Sequence, residues 1–249
     1  MKYPFIYISS LLRTGSTLLQ EMLTKCPYSF IFHEPQFGLN KYKNPEVNNQ
    51  GLKSYKINLS KLIKNCNLKS LFETFKDSNI QIGVKEIRNS GWKNYNTYFS
   101  DIKYILTGRD PHDIYISAYN VLQRSKSWKP SFLPFCPEGL YKELESDIER
   151  QFEIFKTKDC IKVKYEDLCS NPECFNKIKI FVKSPISDIG DIGAFHSKVP
   201  RGKYEINTHH NSLTTKVINR WEHEKSPELI QQANHFFKLM VDYNSFWNY

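Results

Sequence analysis

Short apolar runs alternate along the chain with stretches in which apolar residues recur every three or four positions. Residues 3–9 form an apolar and aromatic run typical of a buried strand. Over 16–25, Leu18, Leu19, Met22 and Leu23 have helical spacing, and Pro27 ends the pattern. Residues 30–32 read as a second strand, closed by Pro35. Residues 36–58 are polar, Asn-rich and read as irregular, and 59–75 hold two short helical patterns. Strands follow at 80–85 and, more strongly, at 102–107. Pro111 opens a helix with Asp110 as its N-cap. An insert of Ser, Pro and aromatic residues spans 125–137, a charged helix 139–155 and a strand 161–165. Asn171-Pro172 and Ser226-Pro227-Glu228 are helix starts, each a capping residue followed by proline. Residues 184–212 have little periodicity and read as a long loop, which in a compact domain is functional or mobile.

Strands alternating with helices predict βαβ units, hence an α/β fold with a central parallel sheet flanked by helices. The 249 residues show no internal repeat and no linker-like composition, so one domain over 1–249 is expected. Lys and Arg number 35 against 26 Asp and Glu, a net charge of +9. That balance suggests an anionic partner: nucleic acid, a membrane surface, or a phosphorylated or sulfated small molecule. A Lys-rich surface with no specific role is the plain alternative. The basic residues are scattered rather than striped and no nucleic-acid-binding motif is present, which argues against nucleic acid. The six cysteines form no Cys-x-x-Cys pair and read as mostly reduced core thiols. The apolar run at 5–8 is too short for a signal peptide, and nothing approaches the ~20 apolar residues of a membrane span, so a soluble cytoplasmic protein is expected.

The first strand runs into Ser9-Ser10-Leu11-Leu12-Arg13-Thr14-Gly15-Ser16-Thr17, and a helix follows. A strand, a tight loop with glycine and a helix N-terminus make an anion site, because the free N–H groups and the helix dipole both favour a phosphate. Ser16 and Thr17 add hydroxyls and Arg13 adds charge. The loop is not a Walker A motif, since Ser16 stands where that pattern needs lysine. It suits a phosphate-like group whose transfer needs no metal. An ordinary Ser-rich turn is the competing reading.

Arg13-Thr14-Gly15-Ser16-Thr17 after an N-terminal strand resembles the 5′-phosphosulfate loop of sulfotransferases, which use 3′-phosphoadenosine 5′-phosphosulfate (PAPS). Tyr104 to Pro111, ending Arg109-Asp110-Pro111 with Ser117 eight residues after the arginine, resembles the family's 3′-phosphate site. Val163 to Leu168, then Asn171-Pro172, resembles its Tyr-Glu-Asp-Leu segment, and Asn219-Arg220-Trp221 before an amphipathic helix is a fourth element. Together they run in the family's order from about residue 4 to about residue 243. In style they are closest to carbohydrate-type and bacterial sulfotransferases.

The resemblance implies roles. Arg13, Thr14, Gly15, Ser16 and Thr17 would hold the 5′-phosphosulfate, Arg109 and Ser117 the 3′-phosphate. Tyr165 would contact the adenine, and Arg201, in Arg201-Gly202-Lys203, would lie near the 3′-phosphate. Phe30 to Pro35 resembles the Phe/Tyr-Glu-Pro segment of carbohydrate sulfotransferases, which makes Glu34 the first candidate for general base and His33 the second. Adjacent side chains of a strand point to opposite faces, so only one of the two is expected to face the cleft. Lys85, at the end of its strand, would contact the transferring group or the acceptor. The plain alternatives are a surface ion pair of Arg109 with Asp110 or Asp113, a core tyrosine at 165 and a solvated Lys85. The implied acceptor is a hydroxyl, leaning to carbohydrate or glycoconjugate. A phenolic or lipid acceptor, a P-loop kinase or NTPase-like protein, a nucleic-acid-binding module and an inactive nucleotide binder are the competing functions.

Overall fold

Five short strands build the sheet: β1 (Phe5–Ser9), β2 (Ser29–His33), β3 (Gln81–Glu86), β4 (Ile102–Gly108) and β5 (Cys160–Lys164). The computed structural model describes residues 1–55, 67–124, 134–190 and 218–249. The strand order is β2-β3-β1-β4-β5, and every neighbouring pair is parallel. β1 and β3 are buried along their whole length. Both faces of an all-parallel sheet are covered, so such strands read as unbroken apolar runs.

The alternation along each strand splits the core in two. On one face Phe5, Tyr7, Phe30, Phe32, Tyr104 and Leu106 join side chains of α3 (Leu68–Phe75), α4 (Pro111–Arg124), α5 (Pro137–Thr157), α8 (Pro227–Leu239) and α9 (Val241–Trp247). On the other, Ile6, Ile8, Ile31, Ile105 and Val163 meet Leu19, Met22 and Leu23 of α1 (Ser16–Leu23) and Phe175 and Ile178 of α7 (Pro172–Phe181). This is the expected α/β architecture. Its register sets Ser9 beside Glu86 and Leu106, and His33 beside Lys85, along one edge. In open α/β sheets ligands sit at these carboxyl ends, where the strand order switches direction. Here the switch flanks β1.

The outer side of edge strand β2 is closed by side chains and one turn. Ser29 exchanges backbone hydrogen bonds with Lys25, and the Tyr55 hydroxyl donates to the Ser29 carbonyl. Ile31 N–H donates to Thr24 Oγ1 at 3.2 Å, and its carbonyl accepts from Gln20 Nε2 at 2.9 Å. His33 N–H donates to Asn48 Oδ1 at 2.7 Å, and its carbonyl accepts from Asn48 Nδ2 at 3.1 Å.

Caps read from sequence are in place. Asp110 Oδ1 accepts from His112 N–H, Asn171 Oδ1 from Glu173 N–H and Ser226 Oγ from Leu229 N–H. Several expectations are corrected. Residues 36–55 are not irregular: they hold a 3₁₀ turn at Phe37–Leu39, helix α2 (Pro45–Leu52) and another turn at Lys53–Tyr55. Asn44-Pro45 starts α2, the same signal as at Asn171-Pro172, but a polar composition hid it. A 3₁₀ stretch at Asn89–Thr97, not foreseen, packs Trp92 and Tyr95 into the core. The fifth strand ends at Lys164, and Tyr165 opens the short helix α6 (Tyr165–Ser170). The five described cysteines are free, as expected, and Cys160 and Cys174 pack against the core from half-buried positions, but Cys136 and Cys169 are half-buried outside it and Cys26 is exposed. Among the described residues no helix is long and apolar enough to cross a membrane. The segments 56–66, 125–133 and 191–217, with Arg201 and most of the loop read at 184–212, lie outside the described residues.

Candidate active site

The loop between β1 and α1 has a backbone suited to anions. Arg13 (φ 69°) and Gly15 (φ 75°) are both left-handed, with Thr14 between them. Alternation of this kind forms the concave amide nests that bind phosphates. No acceptor among the described residues takes the backbone N–H of Thr14, Gly15, Ser16 or Thr17. The Thr14 hydroxyl is engaged below the loop, donating to Leu11 O at 2.9 Å and lying 2.8 Å from Thr107 Oγ1. Thr14 therefore offers the site its backbone N–H and not its side chain.

Gly15 is required twice over. Its φ is costly for any residue with a Cβ, and a Cβ built there would lie 2.0 Å from the Tyr165 ring. That ring in turn stacks on the Arg109 guanidinium, 4.5 Å from Cζ to centroid. Gly15→Ala should therefore displace Tyr165 and Arg109 together. We expect a loss of about 2–4 kcal/mol in stability, from backbone strain plus overpacking, in a denaturant melt. An unchanged melt would show that the loop relaxes freely.

Arg109 is 5% exposed and lies just past β4. Its Nη2 donates to Asp113 Oδ2 at 3.0 Å, one helical turn on, and its Nη1 reaches Arg13 O at 3.4 Å. The ion pair with Asp113 exists, but it is buried at the loop rather than on the surface. Asp113 also accepts from Trp221 N–H at 3.2 Å through its other oxygen. One buried carboxylate thus fixes Arg109 and anchors the segment that carries Arg220. From behind, Tyr243 of α9 accepts the Arg109 N–H at 3.0 Å. Arg13 Nε donates to Ser117 Oγ of α4 at 2.9 Å. Burial, and then the like charge of Arg109, pull the Arg13 guanidinium down to about 10, with Arg220 adding to the effect. Arg13 stays cationic at neutral pH, so three guanidinium groups share one region around a loop with open N–H groups.

At the ends of β2 and β3 lies a cluster of titratable groups. Lys85 is fully buried and ion-pairs with Glu34 Oε1; it is not a solvated lysine. Glu34 has a left-handed backbone (φ 44°), and its N–H donates to Lys85 O at 2.8 Å. This departure from strand geometry breaks the alternation expected of His33 and Glu34. Both side chains turn the same way, with His33 Nε2 3.8 Å from Glu34 Oε1. His33 Nδ1 lies 2.9 Å from Gln20 Oε1.

Glu86, the next residue along β3, is 2% exposed. Its Oε1 accepts from Gln36 N–H at 2.8 Å and from the Tyr95 hydroxyl at 3.2 Å, while Oε2 meets no partner among the described residues. Burial pushes this carboxyl up to about 8, and the nearby Glu34 charge pushes the same way. Unfolded, it would titrate near about 4.3. Between those values the native state keeps a proton that the unfolded chain has lost. Stability should therefore fall as pH rises from about 4 to about 8, then level off. Glu86→Gln, which copies the neutral acid, should remove that slope and gain roughly 2–4 kcal/mol at pH 8. Urea midpoints at pH 5 and pH 8 check this; parallel pH curves for both proteins would mean that native Glu86 is ionised.

A family model described as "sulfotransferase domain" matches residues 4–241. The chain belongs to the sulfotransferase domain family. No curated protein matches this sulfotransferase in sequence. Among solved structures, it is similar to the sulfotransferase domain of the Synechococcus PCC 7002 olefin synthase: 16% identity, TM-score 0.56, 95% of this chain and 96% of that one. It is also similar to a sulfotransferase from Alicyclobacillus acidocaldarius: 14% identity, TM-score 0.58, coverage of 99% and 96%. A mouse sulfotransferase, SULT7A1, crystallised with PAP, aligns at 12% identity and TM-score 0.52 over 97% and 84%. At such identities these likenesses speak for the fold.

The fold of this sulfotransferase brings Arg13, Gly15, Ser16, Thr17, Arg109, Ser117 and Tyr165 to one place, and Glu34, His33 and Lys85 to the adjoining strand ends. The Glu34 charge acts on the Arg13 guanidinium, so the two groups lie within electrostatic reach of each other. Tyr165 is 7% exposed, wedged between Gly15 and Arg109. Sequence reading gave no role to Gln20, Glu86 or Arg220, and saw Asp113 only as a surface partner. Asp113 had a signal, its i,i+4 spacing from Arg109 on a helix. Gln20 and Glu86 had none, because their partners are distant in the chain. Among the described residues no group of three or more His, Cys, Asp or Glu could hold a metal ion.

Proposed function

We propose that this sulfotransferase moves a sulfuryl group from PAPS to a hydroxyl of a carbohydrate or glycoconjugate. One observation carries the reading: the guanidinium-lined phosphate loop adjoins the buried Lys85, paired with Glu34 and with His33 beside it. Open N–H groups of residues 14–17 would receive the 5′-phosphate, with Ser16 and Thr17 hydroxyls beside them. Arg13, steadied by Ser117, would neutralise charge that gathers on the leaving phosphate. Arg109, steadied by Asp113, would take the 3′-phosphate. Glu34, with His33, would accept the acceptor's proton as its oxygen bonds to sulfur and the bridging S–O bond breaks towards the phosphate. Bound PAPS supplies the sulfuryl group and an adenosine bisphosphate leaving group, and the chain supplies orientation and charge. PAP in the crystals of a mouse sulfotransferase and of retinol dehydratase supports this choice of donor.

The test is transfer of labelled sulfate from PAPS, with EDTA present, across carbohydrate, phenolic and lipid acceptors. Transfer to carbohydrate hydroxyls is the expected result. Transfer to phenols or lipids alone would overturn the acceptor class. Retention on immobilised ATP but not on adenosine 3′,5′-bisphosphate would overturn the donor and favour a kinase-like protein.

A further inference from the structure

The hydrogen bonds of Gln20 decide the chemistry of His33. Gln20 is completely buried in α1. Its amide bridges two groups of β2, with Nε2 donating to the Ile31 carbonyl at 2.9 Å and Oε1 lying 2.9 Å from His33 Nδ1. A carbonyl can only accept, so the NH₂ end of the amide must face Ile31 and its oxygen must face the imidazole. An amide oxygen also can only accept, so His33 Nδ1 carries a proton. In the neutral ring the basic nitrogen is then Nε2, the atom that faces Glu34 Oε1 at 3.8 Å.

We infer that Gln20 is a positioning residue that makes His33 and Glu34 a single proton-accepting pair, an inference resting on the transferase reading above. When neutral His33 and ionised Glu34 face one another, the pair can take one proton from the acceptor. That O–H bond breaks, its electrons form the bond to sulfur, and the electrons of the broken S–O bond leave with the phosphate. When His33 is already protonated, Nε2–H is turned to the Glu34 carboxylate and the pair is full. Turnover therefore falls on the acid side as His33 takes up its proton. The groups facing the imidazole set where this happens. Among the described residues they are Glu34 from the loop after β2, Lys85 through its ion pair with Glu34, and Gln20 from α1, with the Arg13 charge acting on Glu34.

Two measurements test this. The first needs no turnover: two-bond ¹H–¹⁵N correlation of ¹⁵N-labelled protein at pH 8, with the His33 signals identified by their absence in His33→Ala. His33 should show a protonated Nδ1 and a bare Nε2. In Gln20→Leu it should return towards the Nε2–H form that free imidazole favours. An Nε2–H ring in the unsubstituted protein would overturn the assignment. The second is the pH profile of sulfate transfer. Gln20→Glu places a carboxylate against Nδ1–H, which stabilises the imidazolium and should move the acid limb up by about one pH unit. Affinity for adenosine 3′,5′-bisphosphate should stay within threefold of wild type, which separates positioning from misfolding. An acid limb that stays in place in a folded Gln20→Glu would overturn the pair. Should Gln20→Glu not fold, the acid limb of His33→Ala decides in its stead, since an unmoved limb there removes His33 from the titration. Absence of sulfate transfer to every acceptor, with the Nδ1–H tautomer intact, would instead sink the transferase reading and leave the positioning by Gln20 standing.

Discussion

Glu34→Gln should cut turnover by roughly 10²–10⁴-fold, the span typical of removing a general base. The amide keeps the size and shape of the side chain but cannot take a proton. Nucleotide affinity should change little, because no phosphate-loop group is altered. Lys85 will lose its carboxylate partner, so a lower melting temperature is expected as well. Single-turnover sulfate transfer at saturating PAPS separates that stability loss from the chemical step. His33→Ala should cost far less in rate while shifting the acid limb. If His33→Ala abolishes transfer and Glu34→Gln is mild, the imidazole is the principal base. If neither matters, the acceptor's proton leaves by another route.

Arg109→Ala should weaken binding of adenosine 3′,5′-bisphosphate by about 2–3 kcal/mol, close to a hundredfold in affinity. The loss should be several times smaller for adenosine 5′-monophosphate, which lacks the group that Arg109 would hold. The comparison matters because Arg109 also has structural ties. It pairs with Asp113, stacks on Tyr165 and reaches the Arg13 carbonyl. Removing it leaves the buried Asp113 carboxylate with the Trp221 N–H but no cation, which itself destabilises the native state. Calorimetry with both nucleotides divides the two effects. Equal losses for both would assign Arg109 to the fold alone.

Much of this site could be read from the sequence because its residues sit where local rules place them. A strand, then Arg13 to Thr17, then a helix is a local pattern, and so is Arg109-Asp110-Pro111 at a strand end with Ser117 two turns along α4. What escaped depends on geometry that is not local. Strand alternation predicted divergent His33 and Glu34 side chains, and one left-handed residue at position 34 undid it. Glu86 looked like an ordinary charged residue at a strand end, but its depth beneath the loop that follows β2 makes it a neutral acid at pH 7. Helix α2 was hidden by composition, since its stability comes from Asn48 and Leu52 packing on β2 rather than from an apolar stripe. Gln20 is the clearest case. Within α1 it is one polar residue among leucines, and its meaning comes entirely from the strand beside it.

Edge strands are where folded chains recruit one another, because their unpaired amides and carbonyls are a template for a further strand. On β2 that template is already filled, by Lys25 and Tyr55 at Ser29, by Thr24 and Gln20 at Ile31, and by Asn48 at His33. Strand addition at the β2 rim is therefore closed, because the outward backbone groups of Ser29, Ile31 and His33 are all paired. The same closure ties solubility to catalysis at one side chain. Gln20→Leu, designed to free the His33 ring, also strips the cover from the Ile31 carbonyl, and this variant is the one to watch for concentration-dependent aggregation.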